Sequence, residues 1–232
     1  MNDLEKFQLD DTRAQQLRDL IDEVLRVNRQ FNLTAIRDLD EAWTKHIHDS
    51  LQGLQTGLFE GEKTVIDVGA GAGFPGLALA VARPELQITL LDSTRKKCDF
   101  IGATAEKFNL NAKALNERAE IAGHDKALRE SFDIATARAV GSLPEVCELA
   151  LPFVKRKGHL VLWRGRNARE ELQQSRRAIE KLGGDASTHI VLPYTLPGHE
   201  ITYHIVVIPK HKFMSTPREF PRRVGLPKQK PL

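Results

Sequence analysis

Residues 65 to 76 read VIDVGAGAGFPG, and they constrain the fold more than any other stretch of the chain. An apolar run ends in Asp67 and passes straight into Gly69, Gly71, Gly73 and Gly76. Glycines at this density bring backbone close to another group or let it take a positive φ. A strand that enters such a turn and leaves it as a helix is the opening unit of a parallel α/β sheet. Read literally, Gly71, Gly73 and Gly76 also spell the G-x-G-x-x-G dinucleotide fingerprint.

The remaining pattern supports a doubly wound sheet. Strands are expected at 64–68, 87–91, 112–115, 132–137, 159–163, 189–192 and 203–208, and helices at 75–82, 94–108, 143–154 and 168–182. Pro75 falls in the first turn of its helix, where a missing N–H costs nothing. Strand and helix alternate at a spacing that suits right-handed crossovers. The last two strands have no helix between them. Their connection carries Pro193, Pro197 and Gly198, so a hairpin-like pairing reverses the seventh strand. Upstream, apolar positions 14, 17, 20, 21, 24, 25, 27 and 31 recur at helical spacing, with Asp10 and Asp11 as candidate N-caps. A second helix spans 39–51, and Gly53, Gly57 and Gly61 punctuate a linker. The expected organisation is a helical extension over 1–61 packed on the core, a main domain over 62–210 and a tail over 211–232.

The chain has 232 residues and a net charge of +3, but the charge is uneven. Residues 209 to 232 hold seven Lys/Arg and one acid, so that segment is +6 and the rest is −3. The same segment holds five of the eleven prolines. Proline blocks regular helix and the charge opposes collapse, which leaves two readings: a solvated basic tail, or an arm that meets a polyanion. Cys98 and Cys147 form no metal spacing, so a reducing, cytoplasmic setting is expected. Met1 to Glu5 lack the features of a signal peptide, and no apolar run approaches the ~20 residues of a membrane span.

Two ligands compete for the glycine turn. Asp92, at the end of the second strand, accepts from ribose hydroxyls in either case, so it does not separate NAD(P) from S-adenosylmethionine. Asp67 is more informative. A carboxylate facing the turn repels a pyrophosphate, whereas it suits the α-ammonium and sulfonium of S-adenosylmethionine. The competing reading is that Asp67 caps a backbone turn with its side chain pointing away. On the first reading Asp67, Gly69, Gly71 and Asp92 surround the donor.

The neighbouring motifs go further. FNLTAI at 31–36 and KHIHDSL at 45–51 precede DVGAGAGFPG at 67–76. LLDSTRKK at 90–97, NERAE at 116–120 and ARAV at 137–140 follow, and FPRRVGLPKQKPL closes the chain at 220–232. This series resembles the bacterial small-subunit ribosomal RNA guanine-N7 methyltransferases, also called the glucose-inhibited division protein B family. The resemblance implies a class I, Rossmann-like methyltransferase fold. It implies S-adenosylmethionine as donor, S-adenosylhomocysteine as product, and N7 of one guanine in 16S rRNA (position 527 in standard rRNA numbering) as acceptor. It places the donor against Gly69 and Phe74, the pair Ala119-Glu120, and Arg138, with the Phe74 ring packing rather than reacting. One departure stands out: relatives carry a lysine-glycine pair at the end of the fifth strand, where this chain has Arg164-Gly165 after Trp163. A guanidinium keeps its proton, so a mechanism that needs a neutral lysine is closed to this protein.

Guanine N7 carries an in-plane lone pair and no proton. No general base, catalytic side chain or metal is therefore expected; alignment supplies the catalysis. His46 and His48 point to different faces of a helix, so His46, His48 and Asp49 are read as packing or hydrogen-bonding the extension onto the sheet edge. Arg118, Arg138, Arg164 and Arg166 follow strand ends. With Arg222, Arg223, Lys228 and Lys230 of the tail they form the candidate RNA surface. The substrate is expected to be 16S rRNA or the small subunit, met by a monomer. A nicotinamide-dependent oxidoreductase and a non-catalytic RNA-binding protein with a vestigial donor site are the alternatives.

Overall fold

A computed structural model describes residues 4–232. The first three residues of the predicted extension, and most of the segment read for a signal peptide, lie outside the described residues. In the N-terminal segment a 3-10 turn (Glu5–Phe7) leads into α1 (Asp11–Asn28), started by Asp10, whose carboxylate accepts the Arg13 backbone N–H at 2.8 Å. Its apolar stripe, Leu17, Leu20, Ile21 and Val24, is buried. A continuous helical run follows: α2 (Leu39–Ala42), a π-helical turn (Trp43–His48), α3 (Asp49–Leu51) and a 3-10 turn (Gln52–Thr56). Gly53 belongs to this run rather than to a linker. A Cβ there would lie 2.6 Å from Trp163 Cζ2, so glycine lets the helix reach the sheet.

The sheet has seven strands, β1 (Thr64–Val68), β2 (Gln87–Asp92), β3 (Ala112–Asn116), β4 (Phe132–Arg138), β5 (Val154–Arg164), β6 (Ile190–Thr195) and β7 (Thr202–Pro209), in the order β3-β2-β1-β4-β5-β7-β6. The first five run parallel, and β7 is antiparallel to both β5 and β6, with Val161 opposite Val207. The chain therefore reverses its winding between β1 and β4, which opens a crevice at the carboxyl ends of those strands. Alternate residues serve opposite faces. Val65, Ile88, Leu90 and Ile134 join one core with α1 and α4 (Gly76–Ala82), and Phe100 and Ile101 of α5 (Arg95–Lys107) add to it. Ile66, Val68, Leu91 and Ala135 join the other, with α7 (Leu143–Ala150) and α8 (Ala168–Lys181).

Several expectations need correction. Pro75 caps α4 from outside and the helix begins at Gly76. The four-residue α6 (Ala119–Ala122) is too short to show a period in sequence. The helix expected to reach Val154 stops at Ala150; Pro152, lacking an N–H, sits in a 3-10 turn, and β5 starts at Val154.

The largest correction concerns residues 211–232. They form a strap packed on the core, with Phe220 buried in the second core and a short helix, α9 (Leu226–Gln229), carrying Pro227 in its first turn. Proline-rich backbone needs partners for its carbonyls, and Arg129 supplies them. Its guanidinium donates to Thr216 O, Pro217 O and Phe220 O at 2.8–3.0 Å. Arg222 forms a two-pronged ion pair with Glu148, Nε to Oε1 at 2.8 Å and Nη2 to Oε2 at 2.6 Å, and the Glu148 side chain is fully buried. Lys210 is also buried, donating to Leu151 O, Leu182 O and Thr216 Oγ1; burial draws its pKa down to about 8. The positive charge of the segment is thus partly answered from inside. Among the described residues no helix is long and apolar enough to cross a membrane.

Candidate active site

The crevice is built on the glycine turn. Gly69 N–H and Ala70 N–H donate to Leu91 O at 2.8 and 3.1 Å, which ties the turn to the end of β2. The glycines serve different purposes. A Cβ on Gly73 would run into the Leu77 side chain (Cγ at 2.8 Å), and one on Gly76 would meet Leu90 Cδ2 at 2.6 Å. These two let α4 pack tightly. Gly71, at φ 60°, has nothing nearer to its Cβ position than Gly69 O at 3.9 Å. It alone of these three faces open space, which is where backbone can meet a ligand.

Asp67 lies beneath this turn, not in front of it. Its side chain is fully buried, Oδ2 accepts the Gly76 N–H at 2.9 Å, and Oδ1 accepts the Thr136 hydroxyl at 2.9 Å. Burial lifts its pKa to about 6, against the opposing pull of Gly76, Thr136 and Arg138. The turn-capping reading is the one realised, and Asp67 supports the turn from below. Asp92 bridges β2 and the turn: Oδ2 accepts the Gly71 N–H at 2.9 Å and Oδ1 the Thr94 N–H at 2.8 Å. At the end of β3, Asn116 Nδ2 donates to Asp92 O at 3.1 Å.

Ala119 and Glu120 begin α6 on the same side of the crevice. Glu120 Oε1 accepts from Arg118 Nη2 and from the Gly225 N–H of the strap, both at 3.0 Å. Burial works to raise its pKa, but the hydrogen bonds from Gly225 and Arg118 outweigh that and hold it low.

Arg138 ends β4, and its guanidinium is committed. Nη1 donates to Lys45 O at 2.7 Å and to Asp49 Oδ2 at 2.8 Å, and Nη2 donates to His46 Nδ1 at 3.3 Å. Asp49 also accepts from the Tyr194 hydroxyl at 2.5 Å, and its backbone carbonyl accepts from Trp163 Nε1 at 2.7 Å. His46 stacks on Phe74, with centroids 4.7 Å apart and planes at 4°. Burial, with the Arg138 charge, depresses the His46 pKa to about 3, so the ring is neutral. Because Arg138 donates to Nδ1, the proton sits on Nε2 and goes to Thr34 Oγ1 at 3.1 Å. The π-helical turn and Asp49 thus bolt the N-terminal segment to the ends of β4, β5 and β6, the structural role read for the HIHD motif. Among the described residues no cluster of His, Cys, Asp or Glu is placed to hold a metal ion.

The candidate RNA-contacting cations divide. Arg223 and Lys228 are exposed. Arg118 is half exposed but paired with Glu120. Arg164 and Arg222 are taken up internally: Arg164 bonds Glu171 Oε2 at 2.5 and 2.9 Å and Gly141 O at 3.1 Å, and Arg222 holds Glu148. Thr136 and Glu148 escaped the sequence reading. Glu148 left one signal: an acid set directly between the apolar Cys147 and Leu149 of α7 requires a cation.

A parallel sheet with a reversed seventh strand, a glycine turn after β1 and an acid closing β2 defines the class I methyltransferase architecture. A precorrin-6y C5,15-methyltransferase from Geobacter metallireducens shares the fold, with a TM-score of 0.50 and 16% identity over 68% of this chain and 86% of that one. Sequence comparison is more specific. The chain belongs to the GidB family, rRNA small subunit methyltransferase G, whose profile matches residues 13–192. It is 41% identical to the ribosomal RNA small subunit methyltransferase G of Alkaliphilus metalliredigens, covering 97% of this chain and 93% of that protein. It is 38% identical to the protein of the same name from Oceanobacillus iheyensis, with the same coverage.

Proposed function

We propose that this protein transfers the methyl group of S-adenosylmethionine to N7 of a guanine in 16S rRNA, position 527 in standard rRNA numbering, leaving S-adenosylhomocysteine. Family membership supports small-subunit rRNA as substrate and the methyl donor over the nicotinamide alternative. The observation that carries the donor assignment is the contrast within the glycine turn. Gly73 and Gly76 are closed by packing, while Gly71 opens onto free space beside the Asp92 carboxylate.

Gly69, Gly71 and Phe74 would form one wall for the donor, Asp92 would accept from its ribose, and Ala119-Glu120 would border its adenine. Arg138 would close the far side. When bound, S-adenosylmethionine supplies an electrophilic methyl group on a sulfonium. The chain itself needs to hold and align. His46 is neutral and already bonded at both nitrogens, so it is no general base. Asp49 neutralises Arg138, so no bare guanidinium at that position opposes the positive charge that N7 gains on methylation. Arg164, held by Glu171, fits a supporting role rather than proton transfer.

The test uses purified protein, donor and small subunits lacking the modification. N7-methylguanosine at a single rRNA position is the expected product. Donor binding with no modified nucleoside would leave the RNA-binding alternative standing. NAD(P) binding without S-adenosylhomocysteine binding would restore the oxidoreductase. We take the protein to act as a cytoplasmic monomer; a dimer in sedimentation analysis overturns that part.

A further inference from the structure

The loop joining α1 to α2 is tied to the site by the bond between Thr34 and His46, and it is firmly built. The Asn28 side chain, buried at the end of α1, accepts from Leu33 N–H at 2.8 Å and Thr34 N–H at 3.1 Å and donates to Ile36 O at 3.1 Å. Thr34 Oγ1 accepts from Ile36 N–H at 3.2 Å and is bonded to His46, which stacks on Phe74 of the glycine turn. Leu33 is buried in the core below. The loop is therefore pinned at the helix end, at its centre and to the crevice.

What this frame displays is polar and cationic. Arg29, Gln30, Asn32 and Arg37 are exposed and, with the half-buried Phe31, line a groove of about 560 Å³. Among the described residues neither Arg29 nor Arg37 has a side-chain hydrogen bond or ion pair. That sets them apart from Arg118, Arg138, Arg164 and Arg222, each neutralised by an acid of this chain. Two guanidiniums facing one groove with no counter-charge favour an anionic occupant. Carboxamides beside them can read exposed base edges, and the pinned loop lowers the ordering cost of binding.

We propose that this groove holds the rRNA strand next to the acceptor guanine, with Arg29 and Arg37 on phosphates and Asn32 and Gln30 toward base edges. The inference rests on the rRNA methyltransferase reading and moves part of the RNA surface from the strap to the N-terminal loop. Recognition of this kind suits unpaired or splayed nucleotides, whose edges are accessible.

The test uses the full chain and the double variant Arg29→Gln/Arg37→Gln. Both positions are exposed, so the fold should hold, with an unchanged thermal transition as the control. Expected are an unchanged affinity for S-adenosylhomocysteine and a rise of at least tenfold in KM for the small subunit. The salt dependence of kcat/KM should flatten by about 1–2 in log–log slope, as for two lost phosphate contacts. Asn32→Ala should lower kcat/KM without altering that slope. Wild-type KM and slope in the double variant overturn the proposal. So does a loss confined to intact subunits with normal binding of protein-free 16S rRNA, which would assign the groove to a ribosomal protein. RNA binding is measured directly alongside. An inactive wild-type chain then counts against methyl transfer, while RNA affinity still judges the groove.

Discussion

The glycine turn and the C-terminal strap sit on neighbouring parts of the same crevice and are made in opposite ways. In the turn, the information lies in side chains that are missing, and almost everything needed is within residues 65–76. In the strap, the anchoring residues depend on partners far away in the chain. Arg222 meets Glu148 across 74 positions, His124 meets Pro221 O across 97, and Gly225 meets Glu120 across 105. Composition is a statement about a segment alone. It misleads where a segment's charge and unpaired carbonyls are answered from outside it.

The comparison can be broken most severely within the turn. Gly73→Val combines a φ of +96° with a clash on Leu77, and should cost about 4 kcal/mol in urea unfolding. Gly71→Ala, at φ +60° in open space, should cost only about 1 kcal/mol yet weaken S-adenosylhomocysteine binding at least tenfold. Normal affinity in Gly71→Ala would show that the open space belongs to something else.

Next comes the strap. Arg222→Met leaves the buried Glu148 without its cation and should cost about 3 kcal/mol, with faster amide exchange across residues 215–226. Unchanged exchange there would mean the strap is held without the pair.

Asp67→Asn should act through pH. The folded carboxyl titrates near 6 and the unfolded one near 3.8, so folding favours the protonated acid, and its contribution to stability falls as pH rises from about 4 to 6. His46 runs the other way: with a folded pKa of about 3 against 6.5, its contribution grows over about pH 3 to 6.5. Removing Asp67 leaves the second trend uncovered. The variant should therefore gain on wild type by up to about 3 kcal/mol between pH 4 and 7. A flat difference across that range refutes the assigned burial cost. The smallest effect is expected for Arg164→Lys. Loss of the forked contact to Glu171 should change stability by less than about 1 kcal/mol and leave donor affinity alone. A large loss of donor affinity would put Arg164 in the site after all.

The sheet was legible because its strands carry apolar runs at regular intervals, and because Pro197 and Gly198 leave no room for a crossover helix before β7; Pro193, expected in the connection, lies within β6. Asp10 was legible as a cap because capping is local. Asp67 was legible as an acid at a strand end, but its aim was not. Period-2 alternation tells which face a side chain takes only once the neighbours covering that face are known. The partner of Arg164 was not legible for a smaller reason: Glu171 lies seven positions on, in the first turn of α8, where the sequence gives no hint of the angle between strand and helix. The π-helical turn at 43–48 shifts His46 and Asp49 onto the crevice, a change of phase that an ordinary helical wheel does not contain.

The strap has a consequence in time as well as in space. Translation delivers residues 215–226 after every strand of the sheet, and Gly225 and Pro221 then close against Glu120 and Gly123, where a Cβ would sit 2.7 Å from Pro221 Cγ. The edge of the crevice beside α6 is thus finished late, after the sheet has emerged and begun to pack. That edge therefore joins two segments made 105 positions apart in translation, α6 and the strap.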